Sequence, residues 1–138
     1  MGIPIVVKAN TSIKGVITTD GWKGYTIPGH ELVAPKDATI IAKLRAAGVV
    51  ILEQTNMPDF AACDTYRSTA YGRTGNAYDV RFSPGGSSGG TVTAVTSNFA
   101  LLGNGTEGAA QKSTNPSIGF KSELGPVNLH RRELNLLT

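Results

Sequence analysis

The sequence predicts an α/β fold, and three observations carry that expectation. A short β-branched run, Ile3 to Val7, opens the chain and ends in Lys8. An amphipathic segment, "DATIIAKLRAAG", begins at Asp37, and a second apolar run, "VVILEQTN", follows it at once. Strand, helix, strand is the rhythm of a layered sheet with a crossover helix, not of an all-β barrel.

Taken in order, Ile3–Val7 is apolar at successive positions, as a strand covered on both faces is. Residues 11–34 mix Gly, Thr and Pro without a steady period and are expected as loops, with Trp22 and Tyr25 as packing anchors. From Asp37, residues Ile40, Ile41, Leu44 and Ala47 share one helical face, and Lys43 and Arg45 lie off it. Asp37 is expected to cap this helix and Gly48 to close it. "VVILEQTN" is expected as a buried strand. Residues 57–82 read as a short helix followed by a loop rich in turn residues. "TVTAVTSN", 91–98, supports two readings: its β-branched alternation fits a strand, and its place behind a glycine-rich turn fits a helix. "FALLGNGT" closes the patterned region as a short strand, and no internal repeat is visible.

The totals remove several function classes. With 40% hydrophobic and 17% charged residues, the chain has the composition of a folded domain rather than a disordered one. Its 138 residues suffice for one core. The 17 glycines follow no short period, which excludes collagen. A net charge of +3 from scattered Lys and Arg, without interleaved aromatics, gives no reason to expect a nucleic-acid partner. No apolar run reaches membrane-spanning length, so no membrane partner is expected. "MGIPIV" lacks a charged n-region and a long apolar h-region, and Cys63 is the single cysteine. Both features fit a cytoplasmic protein without an internal disulfide, with Cys63 as a packing residue. No motif calls for a cofactor or a metal.

One stretch asks for a local explanation: "SPGGSSGG", 83–90, sets four glycines around two adjacent serines. Glycine raises the conformational entropy lost on folding, so such a cluster needs a reason. It fits a flexible linker, an anion cradle, or a loop that presents a serine hydroxyl without obstruction. A P-loop would need a lysine after the glycines, and none follows.

"GIPIVVKAN", "PKDATIIAKLRAAGVVILEQTNMPDFA", "YGRTGNAYD" and "SPGGSSGGTVTAV" together resemble, in order and spacing, the amidase signature hydrolases. The resemblance runs from Gly2 to about Gly108. It implies a partial core of that fold, a mixed sheet flanked by helices, over residues 1–108, with a divergent tail over 109–138. It also implies that Ser87 is a bridging serine on a cis peptide bond and that Lys8 is the base acting through it. A lysine serves as a base only when neutral, well below its usual pKa of about 10.4, and the apolar "IPIVV" leading into Lys8 supplies the desolvation. On its own, Lys8 reads as a strand-end residue snorkelling to solvent.

The family places its nucleophilic serine in a "GTDTGGSIR"-like segment, where this chain reads "GNGTEGAAQKSTNPS". "KSTNP" resembles "SIRxP", which puts Ser113 in the nucleophile slot, with Ser87 or Ser88 as the alternatives. Small residues at Gly108, Ala109 and Ala110 would turn backbone N–H groups toward an oxyanion. Ala9 stands where the family usually has Asp, and "GFKSELGPVN" resembles a later family segment. The expectation is a minimal serine hydrolase cleaving amide bonds of a small molecule or peptide through Lys8, Ser87 and Ser113. The alternatives are a catalytically inactive fragment of the fold that only self-associates, and an anion-binding module using 85–90. A truncated core leaves apolar faces open, so a homo-oligomer is expected.

Overall fold

The computed structural model describes residues 2–62 and 66–106. Its centre is strand β1, Pro4–Lys8, which lies between β2, Val50–Thr55, and β5, Leu102–Asn104, in a parallel sheet of order β2-β1-β5. Helix α1, Thr39–Ala46, connects β1 to β2, and helix α2, Gly89–Thr96, precedes β5. The expected α/β class is the observed one. A separate two-residue ribbon, β3, Arg67–Ser68, against β4, Gly72–Arg73, is antiparallel.

Strand alternation decides what each side of β1 meets. Ile5 and Val7 pack with Ile13 and Ile41 on the α1 side, and Val6 packs with Val95 and Ala100 on the α2 side. Lys8 has the parity of Val6 and so turns toward α2. The pairing of β1 with β2 is irregular between Ile5 and Val6: Ile5 lies opposite Ile51, but Val6 lies opposite Glu53.

Both helices end in the same device, a residue in the left-handed region that turns the chain back toward the sheet. After α1, Gly48 at φ +82° donates to the Arg45 carbonyl and Val49 to that of Leu44. After α2, Asn98 at φ 60° donates to Val95, and Phe99 to Ala94. This pair of bonds is the Schellman pattern. Gly48 therefore closes α1 as its sequence position indicates.

The structure corrects two expectations and decides a third. Asp37 does not cap α1: the cap position is Ala38, with no side-chain bond. The Asp37 carboxylate instead accepts from the Lys14 N–H at 2.7 Å and from Arg45 Nε at 3.0 Å, tying the preceding loop to the helix. "VVILEQTN" does form a strand, but not a buried one, and Val50 and Leu52 stay about half exposed. β2 is the edge of the described sheet, and the helices cover it less completely than they cover the central β1. "TVTAVTSN" is helical as far as Thr96, its first turn seated through Gly89 against the Pro84 ring and through Gly90 against the Asn56 backbone.

That close approach is specific. A Cβ on Gly90 would collide with the backbone of Asn56, whose carbonyl accepts the Gly90 N–H at 3.1 Å. Gly90→Ala should therefore destabilise the fold by roughly 1–3 kcal/mol through overpacking. Urea denaturation followed by circular dichroism reads this as a lower midpoint with an unchanged slope.

Candidate active site

Parallel strands bring their C-terminal ends to one edge of the sheet, where open α/β sheets place their ligands. Lys8 ends β1, Thr55 ends β2, and Thr106 lies two residues beyond the end of β5. The glycine-rich loop before α2 reaches the same edge, because α2 covers the face toward which Lys8 turns. The Gly86–Ser87 peptide bond is cis.

Lys8 is fully buried and Ser87 is 1% exposed. Lys8 Nζ lies 2.6 Å from Ser87 Oγ, 2.8 Å from Thr106 Oγ1 and 3.3 Å from the Thr106 carbonyl oxygen. Asn10 Nδ2 donates to Thr106 Oγ1 at 3.1 Å. Ser88 is engaged elsewhere: its hydroxyl donates to the Thr106 carbonyl at 2.9 Å and accepts from the Thr106 N–H at 3.2 Å. The adjacent serines thus do different things, one meeting the lysine and the other fastening the β5 end.

Beneath this cluster runs a second row of hydroxyls. Thr55 Oγ1 and Thr91 Oγ1 are 2.6 Å apart, and one donates to the other; the hydroxyl that accepts donates onward, Thr55 to the Val7 carbonyl at 3.3 Å or Thr91 to the Asn104 carbonyl at 3.2 Å. Thr11 Oγ1 reaches Asn104 Oδ1 at 3.0 Å. These bonds satisfy buried polar groups and cross-link all three strands to α2, which fixes the site floor.

Burial lowers the Lys8 pKa to about 8 by penalising the ammonium, and the charge of Asp20 opposes that fall. Asp20 itself is raised, first by its own burial, against the pull of Lys8 and with a smaller push from Asp59. The ion pairs among the described residues, Asp37–Arg45 and Asp79–Arg81, both lie away from Lys8. A lysine with hydroxyl partners and no contacting carboxylate can lose its proton near neutrality, which an ion-paired lysine cannot. Among the described residues no cluster of three His, Cys, Asp or Glu side chains is placed to hold a metal.

The sequence-derived pair Lys8 and Ser87 is therefore in contact, and Ser88 is not part of that contact. Ser113 and the segment Gly108, Ala109 and Ala110 lie outside the described residues, as does Cys63. Thr106 has no forecast in the sequence. Its only signal is register: Val7 pairs with Asn104, so the residues after β5 run beside Lys8. An open cleft of about 600 Å³ runs along β2 and reaches Ala9 and Thr55, with Ile13, Ile17, Leu52 and Tyr71 in its walls, and neither Lys8 nor Ser87 lines it. No helix of the described residues is long and apolar enough to cross a membrane.

Comparison with known proteins identifies the family. Residues 1–110 match the family model described as Amidase. The chain is 40% identical over 131 residues to a glutamyl-tRNA(Gln) amidotransferase subunit from Campylobacter hominis, covering 92% of this chain and 28% of that one. The solved structure of 6-aminohexanoate cyclic dimer hydrolase superposes with a TM-score of 0.70 at 34% identity, over 75% of this chain and 21% of the other. Native peptide amidase from Stenotrophomonas maltophilia gives 0.65 at 32% identity, over 73% and 21%. The chain spans about a quarter of the length of the curated relatives it matches.

The depressed lysine has a consequence for stability that needs no substrate. Unfolded, Lys8 returns to its ordinary value of 10.5, so between about pH 8 and 10.5 the unfolded chain holds a proton that the folded chain has released. Stability then rises with pH across that window, and below pH 8 the buried charge costs its full penalty. Lys8→Met removes the titration, so the difference in unfolding free energy between variant and parent should shrink as pH rises from 8 to 10.

Proposed function

The chain belongs to the amidase family, and from that premise we propose that it carries the base and relay of a hydrolase acting on C–N bonds of small-molecule or peptide amides. The observation that carries the reading is the 2.6 Å contact between a fully buried lysine amine and a fully buried serine hydroxyl. A serine hydroxyl is a poor nucleophile at its own pKa and needs a base within hydrogen-bond reach. Burial gives Lys8 a pKa of about 8, close to the pH at which such a base must work.

In this mechanism the neutral Lys8 amine takes the Ser87 proton as Ser87 takes the proton of the attacking serine. That oxygen bonds to the carbonyl carbon, and the developing oxyanion is held by backbone N–H groups of Gly108, Ala109 and Ala110. The proton then returns through Ser87 to the leaving nitrogen as the C–N bond breaks, and water cleaves the acyl-enzyme along the same relay. The resemblance of "KSTNP" to the family's serine segment favours Ser113 as the nucleophile. In the simpler alternative, Ser87 attacks directly with Lys8 as its base. Ser88 is the weaker candidate, since its hydroxyl proton is committed to the Thr106 carbonyl. The lone Cys63 supports a cytoplasmic setting.

A second reading has its own observation: "GNGTEGAAQKSTNPS" departs from the family's nucleophile segment, which favours an inactive fold fragment that self-associates. The exposed Val50 and Leu52 on an edge strand support self-association under either reading.

Single substitutions assayed on chromogenic anilides separate these readings. Lys8→Ala and Ser87→Ala should each lower kcat roughly 10²–10⁴-fold, and Ser88→Ala, which removes no proton-transfer group, should lower it less. Loss at Ser113 as well supports the relay, whereas full activity in Ser113→Ala supports the direct pair. Because the base must be neutral, kcat/KM should rise with pH up to about 8 and then level. Absence of hydrolysis and of fluorophosphonate labelling in the parent would establish the inactive reading. Sedimentation should give a mass above the 14.4 kDa of one chain, and a monomer at tens of micromolar would reject self-association.

A further inference from the structure

Three oxygens surround the Lys8 amine, and they are not equivalent as partners. The Thr106 carbonyl oxygen can only accept. Thr106 Oγ1 receives Asn10 Nδ2 from a second side, so one of its two lone pairs is already occupied. Ser87 Oγ makes the shortest of the three contacts, at 2.6 Å. A neutral primary amine has two N–H groups and one lone pair. One arrangement compatible with these contacts sends the two N–H groups to the Thr106 oxygens and turns the lone pair to the Ser87 hydroxyl, the nearest of the three.

We propose that Thr106 is a positioning residue, whose hydroxyl and carbonyl oxygens take both N–H groups of the neutral Lys8 amine and leave its lone pair aimed at Ser87. Thr106 is itself held at both backbone groups by Ser88, which accepts its N–H and donates to its carbonyl. Its hydroxyl is held by Asn10. The second serine of the glycine-rich loop thereby has a task distinct from that of the first: it anchors the residue that orients the base. Without that anchor a flexible four-carbon side chain would present its lone pair in any direction, and small misplacements of catalytic groups are costly in rate.

The inference rests on the reading of Lys8 as a base, and its test separates the two. The Lys8 Cε resonance, assigned by its loss in Lys8→Met, is titrated by NMR in the full chain, in Thr106→Val and in Thr106→Ser. Asp20, the charged group acting on Lys8, is unchanged in all of them. An acceptor lost from beside the amine disfavours its charged form, so the Val variant should titrate about one pH unit lower, and the Ser variant should match the parent. In the activity arm, Thr106→Val should lower kcat about tenfold with little change in KM, with Ser restoring it. Thr106→Ala answers the same question if the Val variant does not fold. Coincident titrations in the parent and the hydroxyl-free variant overturn the proposal, as does a Ser variant that behaves like Val. A shifted titration in a chain that hydrolyses no amide would sink the catalytic reading and leave the positioning contact standing.

Discussion

Everything at this site follows from keeping one amine out of water. A lysine with no exposed surface at the end of a central strand is costly as a cation, since burial removes its hydration and no carboxylate among the described residues contacts it. The surroundings supply neutral oxygen atoms instead, from Ser87 and Thr106. Those oxygens come from segments far apart in sequence, so the glycine-rich loop, the end of β5 and the β1 strand must all arrive together. Covering both faces of β1 with helices provides the burial, and the row of threonine hydroxyls below provides the rigidity.

The division of labour between Ser87 and Ser88 shows how little chain is needed for this. Successive residues at a turn point in different directions, so a serine pair can serve two partners at once. One hydroxyl meets the amine, and the other fastens the strand that faces it. Gly90 against Asn56 sets how deeply α2 can seat behind them.

Much of this was legible in the sequence, for identifiable reasons. The apolar run into Lys8 has a strand's composition, and its parity places the lysine on the face opposite Ile5 and Val7. The glycine cluster around two serines marked the loop. What failed were judgements that depend on neighbours. Apolar composition does not say whether a strand is central or at an edge, so β2 read as buried when Val50 and Leu52 are not. A carboxylate before a helix can cap it or bind elsewhere, and Asp37 found Lys14 and Arg45 nearer. The run at 91–98 satisfies both periods, and only its packing through two glycines resolves it. Thr106 is the extreme case, because its role arises from the register of parallel strands and no local pattern encodes that.

The irregular pairing between Ile5 and Val6 has a reach beyond its own location. Leu52 is the residue without a counterpart, and it switches the side to which every later residue of β2 points. Ile51 stands beside Ile5, facing α1; in an unbroken strand Thr55 would share that side. The extra residue instead brings Thr55 level with Lys8 and under α2, where its hydroxyl meets Thr91. The odd-numbered offset therefore acts as a phase shift for the strand. A one-residue deletion at the exposed Leu52, harmless by any measure of burial, would send Thr55 back to the wrong side and strip the hydroxyl floor from beneath the lysine.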